Sequence, residues 1–415
     1  MIQFLQANGL DPEAIDTLLI LNRFRRTMHN GLAGRGPLPM IPAGFVLSGK
    51  PPVNADIPTF DVGGTNTRAA RVHFDENGRP TVSEIVRGIM PGTHGPVDND
   101  TFYAELCDVL QQVVRPDEKL GFCFSYPITA EGKLLFWTKG VQAEGIVGSN
   151  VKKGLLAALK ERGLGSVDVR ILNDTVATLL AAYPVRSSTT YAGHVGFILG
   201  TGTNTAYAER TERITKDPTL PAGKMMPINC ETGNFTDFPR SFFDNRYEAI
   251  TGNGRGQWER CISGVHLGPL GTEILHMAAE TGLFSDAVRD RILDRVFTNI
   301  ELDTFCAGTD TQLIDCSSDE AETICSLLRP MYLRAARFAA VNIAAAAMAS
   351  AEANGAMCGK VLVNVDGSTF WKTACIPFRH VVAKELADLL TPQGFSCELI
   401  RIQNAPMVGA AMAVC

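Results

Sequence analysis

By the period of its apolar positions, the chain divides into short strands and longer helices. Residues 1–32 carry apolar side chains at helical spacing, with Arg23, Arg25 and Arg26 grouped on what reads as a solvated face. A Pro/Gly-rich stretch, GRGPLPMIPAGFVLSGKPPV, follows and predicts an extended linker packed on the surface. PTFDVGGTNTRAARVHF reads as strand, glycine turn and strand, ending at the turn residues Asp75 to Gly78. Residues 100–115 predict a helix, 119–126 a buried strand, and 150–163 an amphipathic helix capped by Asn150. SVDVRILNDTVATLLAAY is a strand running into a helix, and HVGFILGTGTNTAYAE is again strand, glycine turn, strand. From about residue 268 the pattern is mainly helical, and Leu327 to Ala353 predicts an Ala-rich helix ended by Asn354-Gly355. A buried strand, KVLVNV, then enters Asp366-Gly367-Ser368 and a helix continuing through Leu390.

One echo changes this picture. The tetrapeptide GTNT occurs at Gly64–Thr67 and again at Gly202–Thr205, each time in a glycine turn between strands. That repeat suggests two related lobes facing each other. A length of 415 residues fits, being too long for one compact core.

Composition is that of an ordinary globular protein, 45% hydrophobic and 20% charged. A net charge of −6 argues against nucleic acid or an anionic membrane as a main partner. The eleven cysteines show no CxxC or metal-finger spacing, so they read as buried thiols of a reducing cytosol rather than disulfides or zinc ligands. The first residues carry Asp11, Glu13 and Asp16 where a signal peptide would be cationic and then apolar. The run Phe338 to Ala351 contains Asn342 and is too short to span a bilayer. The expectation is a cytoplasmic protein with no membrane partner.

The glycine turns carry the candidate chemistry. Gly63 and Gly64, like Gly200 and Gly202, let backbone N–H groups approach a phosphate, and Thr65 and Thr201 add hydroxyls. A Rossmann reading fails because neither turn opens a helix, and a Walker A reading fails because no GK[ST] follows. A plain hairpin remains an alternative for either turn alone. Asp61 beside phosphate-directed amides makes sense if a cation shares the site, which marks it as a candidate Mg2+ ligand, directly or through water. Asp366-Gly367-Ser368 lies between strand and helix, where a nucleotide can rest on the helix start. Asn173-Asp174-Thr175 begins a helix, and by itself an N-cap explains it as well as catalysis does.

Taken together, DVGGTNTR (61–68), FSYP (124–127), FWTKG (136–140), LNDTVAT (172–178), ILGTGTN (198–204), INCETGNF (228–235), WERCISGVHLG (258–268) and VNVDGS (363–368) resemble the motifs of the hexokinase family, in family order. The resemblance spans nearly the whole chain, and LPMIPAGFV looks like the family's lead-in to the first motif. It implies an α/β, two-lobed actin-like ATPase (ribonuclease-H-like) fold around a deep interlobe cleft. The smaller lobe would be 60–172 with 402–415, and the larger 1–59 with 173–401. With one set of phosphate motifs, the chain resembles a single-unit, bacterial-type hexokinase. The implied reaction is transfer of the terminal phosphate of ATP, with Mg2+, to a hexose, glucose at its 6-hydroxyl being the default.

By the same resemblance Asp174 is the general base and Lys139 meets the transferring phosphate. Ser125, Thr138, Lys139, Asn173, Asn204, Glu231 and Glu259 hold sugar hydroxyls together with Asp174. Asp61, Gly63, Gly64, Thr65, Asn66, Arg68, Gly200, Thr201, Gly202, Gly264, Asp366, Gly367 and Ser368 surround the nucleotide. The chemistry agrees: a hexose needs acceptors and amides for its hydroxyls, and phosphoryl transfer needs positioning and charge neutralisation. The pattern is also broken in places. Thr232-Gly233 stands where the family has Trp-Gly, Trp371 where it has a lysine, and RIQNAPMVGAA (401–411) where it has a Ser/Asp/Gly-rich turn. Two other classes, a sugar-sensing regulator and a different actin-like ATPase, share the phosphate turns. A regulator would be expected to lack Asp174, and an ATPase would not need the sugar-side motifs. Homodimerisation is left open.

Overall fold

The computed structural model describes residues 1–129, 132–137, 140–185, 190–252, 254–310 and 312–415. Its strands are β1 (Ile41–Pro42), β2 (Ala55–Val62), β3 (Asn66–Phe74), β4 (Pro80–Ile89), β5 (Lys119–Phe124), β6 (Asp168–Leu172), β7 (Gly193–Leu199), β8 (Thr203–Arg210), β9 (Met225–Asn229), β10 (Gly359–Asp366) and β11 (Phe395–Ile400). Its α-helices are α1 (Ile2–Ala7), α2 (Thr17–Leu32), α3 (Asn99–Leu110), α4 (Val151–Glu161), α5 (Asp174–Leu180), α6 (Phe242–Thr251), α7 (Gln257–Ile262), α8 (Gly264–Glu280), α9 (Asp286–Leu293), α10 (Asn299–Cys306), α11 (Ser318–Ala353), α12 (Ser368–Lys372), α13 (Phe378–Leu390) and α14 (Ala405–Ala413).

The strands form two sheets of one plan. The first has the order β4-β3-β2-β5-β6, and the second β1-β9-β8-β7-β10-β11. In the first, β2, β3 and β4 are antiparallel neighbours, while β2, β5 and β6 run parallel. In the second, β7, β8 and β9 repeat the antiparallel part, and β7, β10 and β11 the parallel part. The two GTNT segments therefore occupy equivalent β-turns, β2–β3 and β7–β8. The tetrapeptide echo marks a duplicated architecture.

Residue patterns explain the elements. In β5 the five consecutive residues from Leu120 to Phe124 are buried, as a central parallel strand requires. Edge strand β4 is largely exposed, so its polar sequence TVSEIVRGI gives a weak strand signal. Helix α5 is wedged between the sheets. A Cβ on Gly409 of α14 would lie 1.8 Å from the Ala177 carbonyl oxygen, so only glycine lets α14 seat against α5.

Within the extended linker, Ile41 and Pro42 pair antiparallel with β9. Two local readings need correction. Helix α11 begins at Ser318, ahead of the predicted Leu327, because Ser317 and Glu320 form a reciprocal capping box and Pro330 is accommodated inside the helix. The helix predicted through Leu390 is broken into α12 and α13. Asp303 accepts hydrogen bonds from the N–H groups of Ala374 (2.9 Å) and Cys375 (2.9 Å), and Pro377 disfavours helical geometry just before it. Among the described residues, no helix is long and apolar enough to cross a membrane.

Candidate active site

The first turn joins β2 to β3. Asp61 and Arg68 lie opposite each other in the strand register, and Arg68 Nη2 donates to Asp61 Oδ2 at 2.6 Å. Burial pushes the Asp61 carboxyl above its ordinary range, Arg68 opposes that rise, and the nearby Asp174 charge adds to it. The N–H of Gly63 is used inside the turn, donating to the Asn66 carbonyl oxygen at 3.0 Å. Its lack of a side chain matters for close approach, and Thr65 and Asn66 are exposed at the tip. The Tyr126 hydroxyl donates to the Gly63 carbonyl oxygen at 3.2 Å and braces the turn from below.

The second turn is fastened from two sides. The Gly200 carbonyl oxygen accepts from Gly264 N–H at 2.8 Å and from Thr369 Oγ1 at 2.8 Å. Thr201 accepts from Val265 N–H at 3.1 Å, so the turn meets the start of α8. A Cβ on Gly264 would lie 2.4 Å from Thr369 Oγ1, and one on Gly367 would lie 2.2 Å from the Leu199 carbonyl oxygen. Gly367 also has φ +110°, which L side chains rarely adopt. Three motifs far apart in sequence thus converge because each contributes a glycine. Asp366 Oδ1 accepts from Gly367 N–H at 2.8 Å, and Ser368 is exposed at the start of the five-residue α12.

Between the turns lies the start of α5. Asn173 is its N-cap, accepting from Thr175 N–H at 2.9 Å. Capping and a role in chemistry are compatible here, because the cap sets the first-turn carboxylate of Asp174 at the helix end. The Asp174 charge raises the carboxyls of both Asp61 and Glu231. It therefore stands in electrostatic reach of the phosphate turn and of the polar cluster opposite.

That cluster is built on β8, β9 and α7. Asn204 donates to Asn229 Oδ1 at 2.7 Å, and Asn229 donates to Glu231 Oε1 at 2.8 Å. Glu231 holds φ +54°, a left-handed conformation that costs a non-glycine residue roughly 1–2 kcal/mol. Burial, then the charges of Asp174 and Glu259, push its carboxyl up to about 7 against the Asn229 hydrogen bond. Glu259 Oε2 accepts from Thr203 N–H at 2.8 Å. Its neighbour Trp258 is buried and stacked on Phe338 at 4.6 Å, which fixes the short helix α7 and turns Glu259 toward the cluster. His266 Nε2 approaches Glu259 at 3.9 Å, but burial lowers its pKa to about 4, so the contact is not an ion pair near neutrality.

Ser125 follows β5, its N–H donating to the Val62 carbonyl oxygen at 3.0 Å. Thr138 and Lys139 lie outside the described residues. A cavity of about 440 Å3 opens beside Glu231, with Pro127, Leu135 and Phe136 on one wall and Asn234 and Arg255 on the other. Asn229 was missed as a site residue although it stands inside INCETGNF. Its place two residues before Glu231 in the same motif was the available signal. The departures from the family pattern also have structural settings. Thr232 is buried, with Asn342 of α11 donating to its hydroxyl at 3.3 Å. The Trp371 indole N–H donates to the Val365 carbonyl oxygen at 2.9 Å, and the Arg379 and Arg401 guanidinium groups lie over its ring.

Two sheets of one plan, paired glycine turns and carboxylates between them define an α/β protein with the two-lobed actin-like ATPase fold. Two family models, both described as hexokinase, match residues 3–183 and 194–415. The chain belongs to the hexokinase family. It is 26% identical to Hexokinase-1 of Schizosaccharomyces pombe over an alignment 429 positions long, covering 95% of this chain and 86% of that one. It is 33% identical to Hexokinase-9 of Oryza sativa subsp. japonica over 273 residues, 61% of this chain and 53% of the relative. The match spans about half the length of that and several other plant relatives. The hexokinase from Schistosoma mansoni, solved in complex with glucose, superposes with a TM-score of 0.80 at 23% identity, covering 98% of this chain and 96% of that one.

Proposed function

We propose that this protein transfers the terminal phosphate of ATP to a hexose hydroxyl, with glucose at the 6-position as the leading substrate. The observation that carries the reading is the position of Asp174, whose charge is felt by Asp61 on the phosphate turn and by Glu231 on the opposite cluster. In this role Asp174 accepts the proton of the attacking hydroxyl. Asn173, Asn204, Glu231 and Glu259 orient the ring, with Ser125, Thr138 and Lys139 completing the set from the other lobe and Lys139 meeting the transferring phosphate. Gly63, Gly64, Thr65, Asn66, Arg68, Gly200, Thr201 and Gly202 line the phosphates, while Gly264, Asp366, Gly367 and Ser368 border the rest of the nucleotide.

The carboxylate at Asp61, on the same turn as the exposed Thr65 and Asn66, suits a magnesium nucleotide. Because Arg68 already engages one Asp61 oxygen, Asp61 would hold Mg2+ through water. The bound ion supplies charge neutralisation at the phosphates.

Residues 60–172 with 402–415, and 1–59 with 173–401, are the two bodies that close on the sugar. The start of β2 from Ala55 travels with the former by its pairing to β3. A cytoplasmic setting is consistent with cysteines that are all free thiols. A coupled assay of ADP release with Mg-ATP and a hexose panel tests the proposal. Sugar-dependent turnover is expected, and sugar-independent hydrolysis, or none with any hexose, overturns it.

A further inference from the structure

Helices α10 and α11 pack against each other. The Tyr332 hydroxyl of α11 donates to Asn299 Oδ1 at 2.9 Å, at the first residue of α10. Leu302 and Leu328 approach each other next along the interface, since both would meet a Cβ added to Gly271, at 2.5 and 3.1 Å. Residue numbers rise on α10 as they fall on α11, so the pair is antiparallel. Two helical turns beyond the Asn299–Tyr332 contact, the register brings Cys306, the last residue of α10, opposite Cys325. Each thiol acts on the ionisation of the other, Cys325 raising the Cys306 pKa and Cys306 lowering that of Cys325. Cys375 lies close by, its N–H held by Asp303 of α10 at 2.9 Å.

We infer that Cys306 and Cys325 form a redox-active dithiol that a hydroperoxide converts to a reversible disulfide between α10 and α11. Cys306, and after it Arg329 one turn on from Cys325, favour the Cys325 thiolate, the form that attacks an oxidant, against burial and the Glu322 charge. The thiolate takes the terminal oxygen of the hydroperoxide, giving Cys325 sulfenic acid and water, or an alcohol from an organic hydroperoxide. Cys306 then attacks the sulfenic sulfur, forms the S–S bond and releases a second water. Two electrons and two protons leave the thiols, and the peroxide O–O bond is the one reduced. At 6% exposure each, the two thiols admit a small oxidant and exclude a bulky one.

The disulfide has a route to the nucleotide side. Asp303, on the same helix as Cys306, holds the N–H groups of Ala374 and Cys375, which follow α12 and its leading Ser368. Fixing α10 to α11 fixes that loop. The kinetic consequence rests on the kinase reading, whereas the chemistry of the thiols does not.

The test uses the full chain with the exposed Cys358 and Cys415 replaced by serine, treated with dilute hydrogen peroxide and then alkylated. Mass spectrometry is expected to find a Cys306–Cys325 linked peptide pair that dithiothreitol reverses. In Cys306→Ala, a dimedone adduct should appear on Cys325 instead. Full alkylation of both thiols after peroxide treatment, or linkage of either one only to Cys375 or Cys316, overturns the assignment. With the disulfide formed, the KM for ATP should rise several-fold while the KM for sugar stays level. A disulfide that leaves both unchanged overturns the coupling to α12.

Discussion

Arg68 places two donors, Nε at 3.1 Å and Nη2 at 2.6 Å, on the same carboxylate oxygen of Asp61, its partner across the β2–β3 pair. Asp61 is buried while Arg68 is partly exposed, and the arginine opposes the rise that burial imposes on that carboxyl. Arg68→Ala should leave Asp61 without its cation. We expect a stability loss of about 1–3 kcal/mol in urea denaturation, with a raised KM for Mg-ATP. An unchanged unfolding midpoint and KM together would show that the pair has neither role.

Asp174 occupies the first turn of α5, where Asn173 and not Asp174 supplies the cap. Asp174→Ala should therefore lower kcat by at least the bottom of the ~10²–10⁴ range of general-base catalysis, with the folded state retained by circular dichroism. Near-normal turnover would remove Asp174 from the mechanism.

Glu231 has a pH signature. Its carboxyl titrates at about 7 in the folded chain against 4.5 as its ordinary value. Between those values the folded chain holds a proton that the unfolded chain has released. This group's contribution to stability is therefore present at the acid end and falls as pH rises through about 7. The loss is bounded at between about 3 and 4 kcal/mol, from about 1.4 kcal/mol per unit. Glu231→Gln should flatten the decline of Tm between pH 5 and 8. In the proposed role a sugar hydroxyl would donate to the ionised form, so sugar affinity should rise over the same interval in the parent and not in the variant. Parallel pH profiles for the two proteins would rule this out.

At Gly367 both φ and space forbid a side chain. Gly367→Ala must displace the Leu199 carbonyl, and a stability loss of several kcal/mol is expected, on the order of the largest single-site effects, together with weakened nucleotide binding by calorimetry. Retention of both would mean that the three-glycine junction is looser than its distances indicate.

In the proposed reaction the sugar would be held from both sides of the cleft, so sugar should favour closure. Small-angle scattering is expected to show a smaller radius of gyration with glucose than without. Equal radii would count against a closing motion.

Much of this protein was legible in short windows of sequence. The strand–turn–strand units at Asp61 and Gly200, the Asn150 and Asn173 caps and the motif order depend on contacts within a few residues. Local propensity and glycine placement suffice for such features. The duplicated sheet order was visible only as the GTNT echo, because strand pairing joins residues far apart in the chain. Edge strand β4, with its polar, exposed face, carries too little alternation to announce itself. The break between α12 and α13 depends partly on Asp303, about seventy residues earlier. The meeting of Gly200, Gly264 and Gly367, the Asn229 bridge to Glu231 and the common reach of Asp174 to Asp61 and Glu231 belong to the tertiary structure. Burial and charge proximity act through space, and only the folded chain brings these groups into one field.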